Sequence, residues 1–278
     1  MMRTLESLQA DLQAHRRVAP NKEAIAEADA WMLGWAVFSS LVLALLYGQG
    51  GYHAAFFPLN SLARDLGDAF WQMVTVLGDG RLVIALALLF ARRRPDILWA
   101  IMLTALFSFL LTHSLKPWVD ALRPPAVLAE GSFFLNGPVH RHGSFPSGHS
   151  LTIAAFLGIW FWQIRDWRMR MALVLFSYEI AASRVVVGVH WPVDVAAGVL
   201  GGCLASWAGC RLAGYWRAGL SLPGHLISLL ICMLLSQSLF YDDGGYRQAA
   251  LFQQLTALLC YGVLLREYLW PPRRQAIS

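Results

Sequence analysis

The sequence predicts an all-α integral membrane protein, a bundle of about eight transmembrane helices. Hydrophobic residues make up 57% of the 278 residues and charged residues only 14%, and the mean hydropathy is +0.50. A soluble domain carries roughly 25% charged residues, because its surface faces water. Eight apolar segments approach the roughly 20 residues that a helix needs to cross the hydrocarbon core. They are residues 31–48, 70–91, 97–115, 150–164, 171–189, 191–213, 222–240 and 249–265.

The order of these segments divides the chain into three parts. Residues 1–30 are polar, with mixed charges and no apolar stretch of a signal peptide, and predict a cytosolic segment in which Asn21 caps a short helix. Residues 31–214 hold the first six spans, which form the expected catalytic core. Residues 215–278 hold the last two spans and a cytosolic tail. Asp79, Gly80 and Arg81 interrupt the second segment and predict a break there.

Basic residues fall in short clusters between the apolar segments rather than in one continuous stripe. This pattern is typical of membrane proteins and excludes nucleic acid as a partner. The positive-inside rule then predicts a multi-pass protein of the bacterial cytoplasmic membrane with both termini in the cytoplasm. The clusters expected on the inside are Arg92, Arg93 and Arg94; Arg165, Arg168 and Arg170; and Arg273 and Arg274.

Three polar motifs stand at segment ends that this topology brings to the outer face. The first reads KPWVDALRP from Lys116 to Pro124, the second PSGH from Pro146 to His149, and the third SRVVVGVHWPVD from Ser183 to Asp194. The first two lie in the longest non-apolar stretch between spans, and loops of that length are uncommon unless they have a function. A functional site is therefore expected at the outer face.

The residue types in the motifs suit phosphoryl transfer. Negative charge spreads over the phosphate oxygens in that reaction, and basic side chains stabilise it. The serine and glycine of the second motif open a helix, whose N terminus favours an anion. The two prolines that follow the lysine and the arginine of the first motif predict an irregular path between these cations. The candidate phosphate-binding residues are Lys116, Arg123, Ser147, Gly148 and Arg184.

The third motif places a histidine beside an acid. Pro192 suits the first turn of a helix, so His190 precedes that helix and Asp194 falls in its opening turn. From there the carboxylate is able to bind one imidazole nitrogen and leave the other free to attack.

Written as Lys-x6-Arg-Pro, Pro-Ser-Gly-His and Ser-Arg-x5-His-x3-Asp, the motifs resemble the type-2 phosphatidate phosphatases, whose superfamily includes vanadium haloperoxidases and glucose-6-phosphatase. The GVHWP run from Gly188 to Pro192 is similar to the bacterial phosphatidylglycerophosphatase and undecaprenyl-diphosphatase branch. The resemblance covers the first six spans. It implies that His190 is the nucleophile of a phosphohistidine, that Asp194 fixes its tautomer, and that His149 protonates the leaving oxygen and later activates water. It implies no metal and no other cofactor.

The expected function is therefore hydrolysis of the phosphate or diphosphate head group of an outer-leaflet lipid, such as an isoprenyl diphosphate or a phosphatidylglycerol phosphate. A lipid-to-lipid phosphotransferase with the same residues stays open. A transporter of anionic lipids is disfavoured, because transport sites tend to lie near the midplane. Many family members carry Gly-Arg where this chain has Asp120, Ala121 and Leu122. Because of this difference, the sequence does not predict which head group is preferred. It also does not predict the oligomeric state.

The remaining polar and aromatic residues carry simpler expectations. His140 and His142 are expected to be ordinary loop residues, and Trp118 and Trp191 to be anchors at the outer interface. Glu179 is expected to be a structural partner of a polar group on a neighbouring helix. The cysteines are expected to be small buried side chains without a disulfide or metal role; they are Cys203, Cys210, Cys232 and Cys260.

Overall fold

The structure is a computed structural model that describes residues 2–18 and 21–270. Within these ranges the chain forms helices and no strands, which confirms the predicted all-helical class. Met1, Ala19, Pro20 and residues 271–278, with the predicted basic pair Arg273 and Arg274, lie outside the described residues. The α-helices are α1 (Met2–Arg17), α2 (Lys22–Gly50), α3 (Phe56–Ser61), α4 (Ala63–Leu66), α5 (Asp68–Val76), α6 (Gly80–Ala87), α7 (Pro95–Val119), α8 (Pro124–Val127), α9 (Gly148–Ile159), α10 (Trp167–Val186), α11 (Pro192–Tyr215), α12 (Leu222–Ser236) and α13 (Ala250–Leu269). Short 3-10 helices cover Gly51–His53, Trp160–Trp162, Ala218–Leu220, Gln237–Phe240 and Arg247–Ala249.

The helices are those of a multi-pass membrane protein, but they meet the expectation of eight spans only in part. Five helical stretches are long and apolar enough to cross a membrane, and a sixth is added if the bent pair α5 and α6 is one span. Helix α9 has 12 residues, a length of about 18 Å, and α10 carries Arg170, Glu179 and Arg184. The five stretches are Lys22–His53, Pro95–Val127, Pro192–Tyr215, Leu222–Phe240 and Arg247–Leu269.

Helix starts follow the predicted capping residues. Asn21 accepts two backbone N–H groups of the first turn of α2, as predicted. The helix is longer than expected and runs unbroken to Gly50, because no proline interrupts it. Between α5 and α6 the axes bend by 57°, and Asp79 caps α6, which confirms the predicted break. A Cβ on Gly78 would lie 2.9 Å from the carbonyl oxygen of His149, so this break packs directly against the second motif.

Helix α11 is the central helix and packs most extensively against α9, α7 and α2. Glycines on α11 allow close approach: a Cβ on Gly198 would lie 2.6 Å from the carbonyl oxygen of Ser147, and one on Gly209 would collide with Thr104 of α7. Because of this contact, the start of α9 lies directly beside the start of α11. The second and third motifs are therefore neighbours.

The C-terminal helices α12 and α13 join the same body. Both pack against α6, in a buried apolar cluster that includes Leu82, Ile97 and Leu229. Cys232 and Cys260 belong to this cluster. Each of the four cysteines is a free thiol, and three of them are buried while Cys210 is partly buried.

The basic clusters and the motifs lie at opposite ends of the helices. Helix α7 begins beside Arg92 and ends three residues after Lys116. We call these the basic end and the site end. At the basic end, Arg92 pairs with Asp11 of α1 at 2.9 Å, and Arg170 pairs with Glu27 of α2 at 2.6 Å.

Two expectations about single residues are wrong. Trp191 is not an interface anchor: it is 1% exposed, stacks on His53 at 3.9 Å between ring centroids, and donates from Nε1 to the carbonyl of Leu122. Trp118, by contrast, is 82% exposed, as an anchor should be. Glu179 lies on the exposed side of α10 and has no polar partner among the described residues, because this side of α10 faces away from the bundle.

Candidate active site

His190 and Asp194 meet where α10 passes the chain to α11. Gly188 reverses the chain at a φ of 79°, and its missing side chain leaves room for the backbone of Phe134. His190 then precedes Pro192, the first residue of α11, with a side chain that is 2% exposed. Its Nδ1 lies 3.3 Å from Oδ2 of the fully buried Asp194. The third motif therefore folds into a buried histidine–carboxylate pair.

Two residues outside the motifs hold the Asp194 carboxylate. The hydroxyl of Tyr52, just beyond α2, donates to Oδ1. The hydroxyl of Ser144 donates to Oδ2 at 2.5 Å and lies 3.5 Å from Nδ1 of His190. Sequence reasoning missed both residues. Ser144 lies three positions before Ser147, in the loop between α8 and α9, and this closeness to the second motif is a signal that could have found it. Tyr52 lies near no motif in the sequence.

His190 lies in a positive environment. Burial, together with the charges of Arg123, Arg184 and Lys116, holds its pKa well below the usual 6.5. The imidazole is therefore neutral at neutral pH. With Nδ1 turned to Asp194, its Nε2 makes no hydrogen bond to any described residue. A neutral imidazole with one free nitrogen is suited to nucleophilic attack.

Arg184 enters the site from the last turn of α10 and is 3% exposed. Its NH1 group donates to Oγ1 of Thr75 at 2.8 Å and to the hydroxyl of Tyr246 at 2.5 Å. The Nε atom is buried and has no hydrogen-bond partner in the described part of the chain. One nitrogen of the guanidinium is thus held by the protein, and Nε is left without an acceptor among the described residues. Sequence reasoning missed Thr75 and Tyr246, which lie far from the three motifs.

The two cations of the first motif do not share a helix. Helix α7 continues through Pro117 to Val119, with Lys116 in its last turn. Asp120 then takes a left-handed conformation with a φ of 39°, and Arg123 caps the short helix α8. The irregular path predicted from the prolines is confirmed. It still brings Lys116 within electrostatic range of Arg123 and of Arg184.

Arg123 is bound by the backbone of the loop that it faces. Its Nε donates to the carbonyl of His142 at 3.1 Å, its NH2 to that of Gly143 at 3.3 Å and its NH1 to that of Val189 at 3.3 Å. A guanidinium has five donors. Three bonds fix its orientation and leave two N–H groups for an anion.

The second motif forms the start of α9. Ser147 is buried and caps the helix, and its own N–H donates to the carbonyl of Asp194 at 3.0 Å. Its hydroxyl binds Ser150, so its polar groups hold α9 against α11. The N–H groups of Gly148 and His149 have no acceptor among the described residues, and an added Cβ on Gly148 would meet nothing closer than 3.9 Å. This helix start is open to an anion. The Nε2 of His149 is also buried without a partner.

The loop that carries the site is fastened by Asn60 of α3, a further residue that sequence reasoning missed. Its Oδ1 accepts the N–H of Phe134, and its Nδ2 donates to the carbonyls of Phe134, Val185 and Val186 at 2.8–3.1 Å. The side chain is 3% exposed. Asn60 therefore joins the loop to the end of α10, at the two residues that follow Arg184.

The other loop histidines lie at the edge of the site. His142 faces Asp120 at 3.7 Å, with both side chains 69% exposed. His140 is largely exposed. The partial loss of water around its ring, together with the charges of Arg123, Arg184 and Lys116, lowers its pKa. Across residues 2–18 and 21–270, no three His, Cys, Asp or Glu residues are grouped to hold a metal ion.

Comparison with known proteins agrees with this geometry. Residues 97–218, which include all three motifs, match the family model described as the PAP2 superfamily. The chain is 32% identical over 153 residues to the lipid A 1-phosphatase of Rhizobium johnstonii, and the aligned region covers 51% of this chain and 61% of that protein. It is 34% identical over 131 residues to the undecaprenyl-diphosphatase of Sulfolobus acidocaldarius, and the aligned region covers 45% of this chain and 57% of that protein. The chain thus spans less than two thirds of the length of each of these curated relatives.

A solved structure shares the fold. The crystal structure of Aquifex aeolicus LpxE superposes with a TM-score of 0.50 and 25% sequence identity, and the match covers 56% of this chain and 92% of that one. Residues 97–218 thus match the PAP2 superfamily, and with this match the resemblance to the type-2 phosphatidate phosphatases is confirmed.

Proposed function

We propose that this protein is a metal-independent lipid phosphatase that hydrolyses the phosphate or diphosphate head group of a membrane lipid through a phosphohistidine on His190. One observation carries the proposal. A neutral histidine, held at Nδ1 by Asp194, faces three basic side chains and the unpartnered Nε2 of His149. Such a set suits in-line phosphoryl transfer, in which positioning and charge stabilisation supply most of the catalysis.

In the first step, Nε2 of His190 attacks phosphorus and the bond between phosphorus and the lipid oxygen breaks. His149 gives its proton to that leaving oxygen. Burial and the charge of Arg184 lower the pKa of His149. The nearby Asp79 carboxylate opposes this shift, and the bound phosphate adds the negative charge that lets His149 hold the proton that it gives. Asp194 stabilises the positive charge that develops on the phosphorylated imidazole.

In the second step, water attacks the phosphohistidine. His149, now neutral, takes a proton from the water, and the bond between phosphorus and Nε2 of His190 breaks. Inorganic phosphate leaves, and both histidines return to their starting protonation states. Lys116, Arg123 and Arg184 bind the phosphate oxygens through both steps, with the open start of α9 as a fourth donor.

The substrate class follows from the position of the site and from the relatives. The site lies at the end of apolar helices, where the head group of a lipid meets water. The named relatives are a lipid A 1-phosphatase and an undecaprenyl-diphosphatase. We therefore add a lipid A 1-phosphate to isoprenyl diphosphate and phosphatidylglycerol phosphate as candidate substrates. Each presents a phosphate on a lipid anchor.

The site end is proposed to face the periplasm, in the outer leaflet of the bacterial cytoplasmic membrane, with both termini in the cytoplasm. The support is the charge distribution. Arg92, Arg94 and Arg170 stand at the basic end, opposite the motifs, and basic clusters mark the cytoplasmic side.

Phosphate release from purified protein in detergent tests the proposal. The substrates are lipid A, undecaprenyl diphosphate and phosphatidylglycerol phosphate, and the variants are His190→Ala and His149→Ala. His113→Ala is the matched control, because this exposed histidine binds only a carbonyl of its own helix. We expect release with at least one lipid, none with the first two variants and normal release with the third. Folded protein that releases no phosphate from any of these lipids contradicts a hydrolase, and phosphate recovered on an added lipid acceptor indicates a phosphotransferase.

A further inference from the structure

The connection between α12 and α13 lies against the active site, although these helices fall outside residues 97–218. Residues 242–249, here called the C-terminal loop, are held at both ends. Asp242 binds Arg81 of α6 through its carboxylate and its carbonyl, both at 3.0 Å. The N–H of Gln248 donates to Gln72 of α5 at 2.9 Å. The loop is thus attached to both halves of the bent pair that contacts His149.

The turn within this loop points one side chain inward. Gly245 has a φ of 85°, and a Cβ there would lie 2.8 Å from Pro138, so the close approach requires glycine. The next residue, Tyr246, is 2% exposed and packs with Val76, Val187 and Val189. Its ring is buried and contacts the phosphate-binding residue Arg184.

The hydroxyl of Tyr246 accepts a hydrogen bond from NH1 of Arg184 at 2.5 Å. The ring centroid lies 5.5 Å from the guanidinium carbon of Arg184 and 6.5 Å from the ring of His149. Tyr246 and Thr75 together engage NH1, while Nε of the same guanidinium is buried without a partner. Two fixed bonds on one nitrogen determine which edge of the planar group faces the site.

We propose that Tyr246 is a positioning residue of the phosphate site, which aims the Nε edge of Arg184 at the phosphate, and that the C-terminal loop is therefore part of the active site. The inference rests on the proposed function and extends it to helices α12 and α13. A phenylalanine would fill the same space but would leave the buried NH1 group with one acceptor fewer. A hydrogen bond to a charged group is worth enough that its loss corresponds to roughly a ten-fold weakening of anion binding.

The test uses Tyr246→Phe in the full chain. The probe is orthovanadate, and its affinity is measured from the vanadate-dependent rise in Tm, which needs no turnover. We expect vanadate to bind about ten-fold more weakly and kcat/KM to fall by a similar factor. Tyr241→Phe is the matched control, because Tyr241 stands just before the loop and is 76% exposed. It should match the unaltered protein in both measurements.

A second arm separates positioning from general packing. In an Arg184→Lys background, Tyr246→Phe should change vanadate affinity by less than about two-fold, because the residue through which it acts is gone. Equal losses in both backgrounds, or unchanged affinity in Tyr246→Phe, overturn the inference. If the Phe variant does not fold, Asp242→Asn takes its place. It loosens the loop at an exposed side chain and should weaken vanadate binding at least about two-fold, and unchanged affinity there also overturns the inference.

The two proposals fail in different ways. If the proposed hydrolysis is wrong, the unaltered protein releases no phosphate, whatever its vanadate affinity. If only the role of Tyr246 is wrong, the unaltered protein is active, and Tyr246→Phe either keeps its vanadate affinity or loses it equally in the Arg184→Lys background.

Discussion

Replacing Asp194 by Asn removes one negative charge from the site and almost preserves its shape. Oδ2 accepts from Ser144, from the Trp191 N–H and from Nδ1 of His190, while Oδ1 accepts from Tyr52. The new amide nitrogen has an acceptor in Tyr52, since a phenol both donates and accepts. The remaining oxygen then keeps its three donors. Asp194→Asn therefore tests the charge, separately from the hydrogen bonds.

The expected loss follows from the geometry of the pair. Attack by Nε2 makes the His190 ring positive, because Nδ1 keeps its proton. Nδ1 lies 3.3 Å from the Asp194 carboxylate, and both side chains are buried. At an effective dielectric of about 20, charges about 4 Å apart attract by about 4 kcal/mol. Since about 1.4 kcal/mol is a factor of ten in rate, kcat should fall by roughly 10³-fold.

The assay is steady-state phosphate release from the preferred lipid, with Tm measured on the same preparations. Ser144→Ala is the matched control, because it removes one hydrogen-bond donor to the same carboxylate but keeps the negative charge, and it should lower kcat by about ten-fold. We expect Tm of Asp194→Asn to stay close to that of the unaltered protein. An Asn variant that keeps more than about a tenth of kcat would refute the role given to the Asp194 charge.

Four other outcomes are expected. His190→Ala and His149→Ala should each abolish turnover without unfolding the protein, and full activity in either variant would contradict the phosphohistidine mechanism. Hydrolysis should continue in EDTA and be inhibited by vanadate; a loss on chelation that Mg²⁺ restores would speak against metal independence. Because burial and the charges of Arg123, Arg184 and Lys116 hold its pKa below 6.5, His190 is still neutral at pH 6.5, and the acid limb of kcat/KM should lie below that pH; a midpoint at or above 6.5 would show that its pKa is not lowered. A cysteine at Ser132 should react with an impermeant maleimide in intact cells and a cysteine at Arg93 only after permeabilisation; the reverse would invert the proposed orientation.

The sequence predicted those parts of the fold and site that depend on local patterns. Runs of apolar residues predict helices, Asn21 predicts a helix start and residues 79–81 predict a break, and both were found because caps and breaks depend on neighbouring residues. The spacing of His190 and Asp194 likewise predicts their meeting, since the helix begins between them. The number of spans was harder to predict, because α9 is short and α10 carries charged residues, of which Arg170 and Arg184 are buried.

By itself, then, the sequence determined the helical membrane class, the three motifs and the pairing of His190 with Asp194. Only the tertiary structure decided which residues hold these groups in place. Tyr52, Thr75 and Tyr246 come from three separate parts of the chain and meet the motifs through helix packing alone. No local pattern marks such residues, because a hydrogen bond between distant segments depends on where the helices place them rather than on neighbouring residues in the chain.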